Sequence, residues 1–345
     1  MKVAVVLFNL GGPDGPEAVR PFLFNLFNDA AIISLAQPLR WLLAAVISHR
    51  RTPVAKEIYA HLGGKSPLLE QTESQARALE SDFQRTNKNH TFKCFIAMRY
   101  WHPMAAAAAR AVADFAPDRI VLLPLYPQFS TTTTGSSLAD WKRAAGAIGL
   151  AVPTAAVCCY PGDAGLASAQ AELIAGAQKQ TAGARILFSA HGLPKKIVDR
   201  GDSYPLHVAT TAAAIIAQLG GAPDWAICYQ SRVGPLEWIG PSVEDELARA
   251  AADGVPVIVV PIAFVSEHSE TLVELDIEYR TLAKRLGVPG YVRVATVGTH
   301  ANFIAGLARL TEQALTAVKD GDLRGGIELT SGRGGCAPCL QKMDF

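Results

Sequence analysis

The sequence has no run that reads as a membrane span. Its longest apolar stretch, Ala31 to Ser48, is interrupted by Gln37, Pro38 and Arg40, whereas a spanning helix needs about 20 nearly unbroken apolar residues. Neither charge is in excess: 32 Lys and Arg against 31 Asp and Glu leave a formal net charge of +1, which excludes the basic footprint of a nucleic-acid binder. Cysteine is scarce. Cys94, Cys158, Cys159, Cys228, Cys336 and Cys339 are too scattered for a disulfide framework in a chain this long, so they read as thiols or metal ligands in a reducing compartment. Only Cys336-Ala-Pro-Cys339 has ligand-like spacing. Nucleotide signatures are missing too. The Gly11-Gly12-Pro13 turn is not a G-x-G-x-x-G fingerprint, and Pro13 removes an amide that a pyrophosphate would use. The hydroxyl run Thr131–Ser137 lacks the Gly-Lys-Ser/Thr ending of a P-loop, so no nucleotide is expected. The first residues, MKVAVVLFNL, have a single Lys before an apolar run that stops at Gly11; this suits a buried strand better than a signal peptide, and a cytoplasmic location follows as the expectation.

What is present is an α/β pattern. Short apolar runs alternate with Ala-rich helical segments, as parallel strands do with crossover helices. Strands are expected at Val3–Leu10, Thr91–Met98, Arg119–Leu125 and Ala151–Cys158, then at Arg185–Ser189, Trp225–Gln230, Val255–Pro261 and Tyr291–Ala295. Helical periodicity marks Glu70–Asn87, Met104–Phe115, Gly165–Gln180, Pro205–Leu219, Ser242–Ala252, Ser269–Leu286 and His300–Val318. With 345 residues, two domains of about four strands each are expected. The boundary is placed near residue 160: an N-terminal domain over 1–160, joined by the C-terminal helix and tail from about 300 to 345, and a second over 161–299. The tail from Asp320, with its Gly332-Arg333-Gly334-Gly335 run, reads as irregular chain. The Ala31–Ser48 stretch reads either as a helix buried in the core or as an exposed rim for a greasy ligand or a membrane surface.

Ligands of open parallel sheets bind at the carboxyl ends of strands. Five polar motifs follow apolar runs: Asn9–Asp14, Met98–Pro103, Tyr126–Ser137, Ser189–Pro194 and Pro261–Glu270. His191 lies in a Gly192- and Pro194-flanked turn; such a histidine is either structural or a base or ligand. Glu267, Glu270, Glu274 and Glu278 are spaced three, four and four apart, which puts them on one face if a helix covers all four. A solvated acidic face would explain the row. Its start at a strand end beside His268, in a chain that also offers His191, favours a proton or cation path, because close carboxylates raise one another's pKa and attract divalent metal. Leu272, Leu275 and Tyr279 form a separate apolar stripe that would pack this helix.

Taken together, Asn9-Leu-Gly-Gly-Pro13, Phe22-Leu-Phe-Asn-Leu-Phe27, Gly63-Gly-Lys-Ser-Pro-Leu68, Met98-Arg-Tyr100, Tyr126-Pro-Gln128, Thr132-Thr-Thr-Gly-Ser-Ser137, Ser189-Ala-His-Gly-Leu-Pro194, Tyr229-Gln-Ser-Arg-Val-Gly-Pro235 with Trp238, and Pro261 through Tyr279 resemble ferrochelatase over nearly the whole chain. The resemblance implies a chelatase fold, two Rossmann-like domains each with a mostly parallel four-stranded sheet, with a porphyrin cleft between them and Ala31–Ser48 as its apolar lip. It implies an enzyme that inserts ferrous iron into protoporphyrin IX to form protohaem, the terminal step of haem biosynthesis. It also implies that His191 and Glu270 handle iron, with Glu267, His268, Glu274 and Glu278 extending the site. Two pyrrole protons must leave as the metal enters, so a neutral imidazole to accept protons and carboxylates to move charge suit the chemistry. His191 is assigned proton acceptance and Glu270 metal handling, and the reverse assignment stays open. Leu10, Tyr126 and Trp238 are candidate walls for a distorted porphyrin. Tyr100 is a further substrate-contact candidate, and Arg99 and Arg232 are candidates for its propionates.

Some ferrochelatases carry a [2Fe–2S] cluster on four thiolates, and Cys336 and Cys339 with Cys158 and Cys159 form a candidate set here; free thiols are the alternative. Animal-type members place a cluster cysteine where this chain has Thr131. A peripheral contact with the inner membrane through Ala31–Ser48 is a further expectation. Rival readings are a chelatase for another tetrapyrrole, coproporphyrin among them, or for cobalt or nickel, and a haem carrier without activity, which would have no use for the carboxylate row.

Overall fold

The computed structural model describes residues 1–232, 234–317 and 327–330. The chain divides into two compact units, one of Met1–Cys159 with the described residues after Gly306, the other of Tyr160–Gly306.

In the first unit, strands β1 (Lys2–Asn9), β2 (Thr91–Met98), β3 (Arg119–Pro124), β4 (Thr154–Val157) and β9 (Ile327–Thr330) form one sheet in the order β2-β1-β3-β4-β9. Every pairing is parallel. Helices α1 (Val19–Phe27), α2 (Leu39–Ala60), α3 (Leu68–Thr86), α4 (Ala105–Phe115) and α5 (Ser136–Ala147) belong to this unit. β1 is buried from Val3 to Asn9, which is why its sequence shows an unbroken apolar run instead of alternation: helices cover both faces of a parallel sheet.

The second unit repeats the plan. Strands β5 (Arg185–His191), β6 (Trp225–Gln230), β7 (Val257–Pro261) and β8 (Tyr291–Arg293) run parallel in the order β6-β5-β7-β8. Helices α6 (Ala164–Gln178) and α8 (Tyr204–Leu219) pack with Ile186, Phe188, Ile258 and Val260 on one face. On the other, Leu187, Val257 and Val259 meet α9 (Val243–Asp253) and the segment from Leu275 to Ala283. The remaining helices are α7 (Lys195–Asp199), α10 (Arg280–Leu286) and α11 (Ala301–Ala317). In both units the strand order reverses beside the first strand, and that switch point, at the strands' carboxyl ends, is where such sheets bind ligands.

Three expectations need correction. The first sheet has five strands rather than four, because Ile327–Thr330 of the tail pairs with β4; four residues in a Gly-rich context are too short a run to stand out. The single helix expected over Ser269–Leu286 is a π-helix over Glu270–Tyr279 followed by α10. Ala31–Ser48 is not a core helix. It turns through a cis Gln37–Pro38 bond into α2, which presents Leu39 (62 % exposed), Trp41 (50 %) and Leu42 (53 %) to solvent.

A close contact ties α6 to the start of α11. A Cβ on Gly165 would lie 2.3 Å from the Asn302 carbonyl, and one on Gly306 2.5 Å from the Asp163 carboxylate. Backbone cannot yield cheaply, so Gly165→Ala is expected to cost about 1–3 kcal/mol, as overpacking generally does. Urea denaturation monitored by circular dichroism would show the lowered midpoint; an unchanged midpoint would mean that the two helices separate freely.

Candidate active site

The second unit gathers a polar cluster at the carboxyl end of its sheet. His191 is the last residue of β5, and Glu270 opens the π-helix that follows β7. Its Nδ1 lies 2.8 Å from Glu270 Oε2, with the side chains 40 % and 25 % exposed. β6, the other neighbour of β5, ends in Gln230, and Ser231 follows it. Gln230 is fully buried; its Nε2 donates to Glu274 Oε2 (2.9 Å) and its Oε1 accepts from Ser189 Oγ (2.7 Å). The Ser231 amide donates to Glu274 Oε1 (2.8 Å), and its hydroxyl contacts Glu274 Oε2 and, at 3.2 Å, Glu270 Oε2. The result is one connected chain of side chains: Ser189, Gln230, Glu274, Ser231, Glu270, His191.

Two carboxylates this close cannot both ionise easily. Burial, then the charge of Glu270, pushes the Glu274 carboxyl up. Burial works the same way on Glu270, but His191 overrides it and holds that carboxyl below the usual range. For His191 burial disfavours the cation, yet the charge and hydrogen bond of Glu270 outweigh it and raise the imidazole. The pair therefore favours imidazolium beside carboxylate, with the neighbouring Glu274 inclined to keep a proton.

The expected row of four carboxylates is divided. Glu270 and Glu274 are joined as described. Glu267 precedes the π-helix and accepts from Arg293 Nη1 at 2.8 and 3.0 Å and from the Thr296 amide at 2.8 Å; Glu278 is exposed. His268 is buried. Its Nδ1 faces the Ser266 carbonyl at 3.2 Å, its ring lies 4.5 Å from that of Phe264, and burial pushes its pKa down, so it stays neutral. Of the expected apolar stripe, Leu275 and Tyr279 are buried against the sheet, while Leu272 is half-buried and outside that cluster. Among the described residues no three His, Cys, Asp or Glu side chains are grouped as a ready metal cage.

Of the expected substrate contacts in this unit, Arg232 is exposed. Trp238 packs against Gly192, where a Cβ would meet its ring at 3.2 Å and the Gln230 carbonyl at 2.9 Å, so the turn after His191 requires glycine. In the first unit, Leu10 borders a cluster of Val19, Phe22, Leu23, Tyr59 and Tyr100. Arg99 is engaged by Asp29 instead of pointing outward: Nη2 donates to its carboxylate at 2.8 Å and Nε to Ser136 Oγ at 2.6 Å. The Tyr100 hydroxyl donates to the same carboxylate at 2.7 Å. Tyr126 packs on the core around Phe8 and Trp141. Cys158 and Cys159 are buried with Phe129; Cys336 and Cys339 lie outside the described residues. Gln230, Ser231 and Ser189, which the sequence offers within motifs but without a role, also belong to the site. The signal was there, because Gln230-Ser231 stands at the carboxyl end of β6 as His191 does at that of β5.

Comparison with known proteins bears on what such a cluster serves. The ferrochelatase family model matches residues 2–315. The chain is 57 % identical over 318 residues to a ferrochelatase of Phenylobacterium zucineum, covering 91 % of this chain and 92 % of that one. It is 54 % identical over 317 residues to one of Caulobacter vibrioides, with 91 % and 90 % covered. Among solved structures, the fold is similar to SirB from Bacillus subtilis with Fe3+, at a TM-score of 0.53 and 12 % identity over 92 % of this chain and 99 % of that one. A sirohydrochlorin chelatase SirB in complex with cobalt gives a TM-score of 0.52 at 12 % identity, with 92 % and 97 % covered. These two show a shared fold, and the family match over almost the entire length makes this chain a member of the ferrochelatase family.

Proposed function

We propose that the protein inserts ferrous iron into protoporphyrin IX, releasing two protons and forming protohaem. The observation that carries the reading is the His191–Glu270 contact at the carboxyl ends of β5 and β7, backed by Glu274. Above its raised pKa, once the pair has given up its own proton, neutral His191 takes a pyrrole proton, and the Glu270 carboxylate stabilises the imidazolium that forms. Glu274, whose raised pKa lets it hold a proton near neutrality, is the group suited to receive protons beyond that pair. Glu270 also offers ferrous iron, here a substrate, an oxygen ligand once His191 has moved off it.

The proton-acceptor role has a definite pH signature. Below its pKa His191 is already imidazolium and cannot accept, so kcat/KM for porphyrin rises with pH, with a midpoint above the ordinary 6.5. Glu270→Gln removes the charge that raises His191 and is expected to move the midpoint down. A profile that falls through that range, or a midpoint unmoved in the variant, would reassign the acceptor.

Two finer features belong to this reading. Cys158 and Cys159 fit half of a [2Fe–2S] ligand set: both are fully buried behind Phe129, which shields thiolates from solvent. Val157 pairs with Thr330, so the chain passes beside these cysteines only a few residues ahead of Cys336 and Cys339, which would supply the other two ligands. A cluster there would add a redox-active centre; the thiolates would hold it and Phe129 would exclude water. The exposed Leu39, Trp41 and Leu42 of α2, with Arg40, Arg50 and Arg51 nearby in sequence, fit a rim that meets the porphyrin or rests on an anionic membrane surface. Among the described residues no helix is long and apolar enough to cross a membrane.

The deciding experiment is an anaerobic assay with ferrous iron and protoporphyrin IX, following loss of porphyrin fluorescence and formation of haem, with an absorbance spectrum of the protein as isolated. Rapid quenching with haem formation supports the reading, and visible charge-transfer bands support the cluster. Insertion of cobalt into another tetrapyrrole, without turnover of iron, would overturn it.

A further inference from the structure

Ser231 stands out for its backbone. It has a φ of +60°, and among the described residues the other non-glycine residue with positive φ, Ala116, simply ends helix α4. A left-handed conformation disfavours any residue with a Cβ, and here nothing about the turn itself demands a side chain. What the conformation achieves is to aim both polar groups of one residue at the π-helix. The amide reaches Glu274 Oε1 at 2.8 Å, and the hydroxyl lies between Glu274 Oε2 and Glu270 Oε2. Gln230 secures the same carboxylate from the preceding position, at 2.9 Å, and its amide also reaches the Glu270 carbonyl at 3.3 Å. Glycine would relieve the backbone but remove the hydroxyl; the chain keeps serine.

We propose that Ser231 is the positioning residue of this site: its hydroxyl bridges Glu270 and Glu274 and so presets the Glu270 carboxylate against His191. This rests on the chelatase reading of the cluster. The bridge explains how two side chains that repel each other are kept adjacent. A hydroxyl has one proton to donate and lone pairs to accept with, so it can donate to one carboxylate while accepting from the other whenever that one carries a proton. Without it, Glu270 keeps among the described residues the hydrogen bond to His191 but loses the one that ties it to Glu274.

The prediction separates backbone from hydroxyl. Ser231→Gly is expected to be as stable as the natural protein or more so, since glycine suits φ +60°, yet to lower kcat for iron insertion by about tenfold or more, with porphyrin binding, read by fluorescence titration, unchanged. Ser231→Thr keeps the hydroxyl but strains a β-branched residue in the left-handed region; it is expected to unfold at lower temperature and to retain most of the activity. Full activity in the glycine variant, or equal losses in both variants tracking stability, would overturn the proposal. If the natural protein itself forms no haem, the chelatase reading fails instead. Crystal structures of the natural protein and of Ser231→Gly then decide the positioning role alone: it stands if Glu270 leaves His191 in the variant and falls if the contact is unchanged.

Discussion

Replacing His191 by alanine is expected to abolish haem formation, lowering kcat by about 10²- to 10⁴-fold, the usual worth of a positioned general base, while protoporphyrin still binds. His191 hydrogen-bonds through its side chain to Glu270 at 2.8 Å. It ends a strand whose neighbours on both sides are paired by backbone, so the fold does not depend on the imidazole. Loss of the ring removes the proton acceptor and frees Glu270 to move towards Ser231 and Glu274. Fluorescence titration with porphyrin and an anaerobic iron-insertion assay measure the two effects separately. Loss of both binding and turnover, or of neither, would show that His191 is not the acceptor.

Arg293→Ala is expected to be the most destabilising single change near the site. Its guanidinium, only 9 % exposed, donates through Nη1 to both Glu267 oxygens, at 2.8 and 3.0 Å, and through Nη2 to Asp276 Oδ2 at 2.6 Å. It thereby fastens the loop before the π-helix and the π-helix itself to β8. Removing it leaves Glu267 with the Thr296 amide alone and Asp276 with the exposed Arg280, and breaking a largely buried pair in this way costs about 3 kcal/mol. A lowered midpoint in urea at unchanged slope would register the loss. Arg293→Lys keeps the charge without the fork and should recover only part of it. A midpoint equal to that of the natural protein would mean that water already screens the pair.

The strands could be read from the chain because parallel strands buried on both faces are written as continuous apolar runs. The expected Thr91–Met98 and Trp225–Gln230 are the observed β2 and β6. The strand-end rule then led directly to His191 and Glu270. What could not be read is what depends on helix type and on partners distant in sequence. A spacing of four residues places Glu270 and Glu274 together in an α-helix or a π-helix alike, so the pattern cannot tell one from the other. Glu267 fits the spacing but lies before the helix, where Arg293, 26 residues on, claims it. The partner that Arg99 has in the fold, Asp29, lies 70 residues away and could not be read from the local motif. α2 was obscured because a helix with an exposed apolar side and Pro53 inside it has no clear amphipathic period.

The two sheets share more than a fold class. Their strand orders, β2-β1-β3-β4 and β6-β5-β7-β8, are the same permutation, and in each unit a π-helix follows the third strand, at Thr131–Gly135 and at Glu270–Tyr279. Where β5 ends in His191, β1 ends in Asn9, whose amide donates to Thr72 Oγ1 at 3.0 Å; where one π-helix opens with Glu270, the other opens with Thr131. Neither asparagine nor threonine accepts a proton at neutral pH. Among the described residues a scaffold that is duplicated in topology is thus single in this chemistry: under the proposed function one His–Glu pair would serve each chain, with one iron delivered in each turnover.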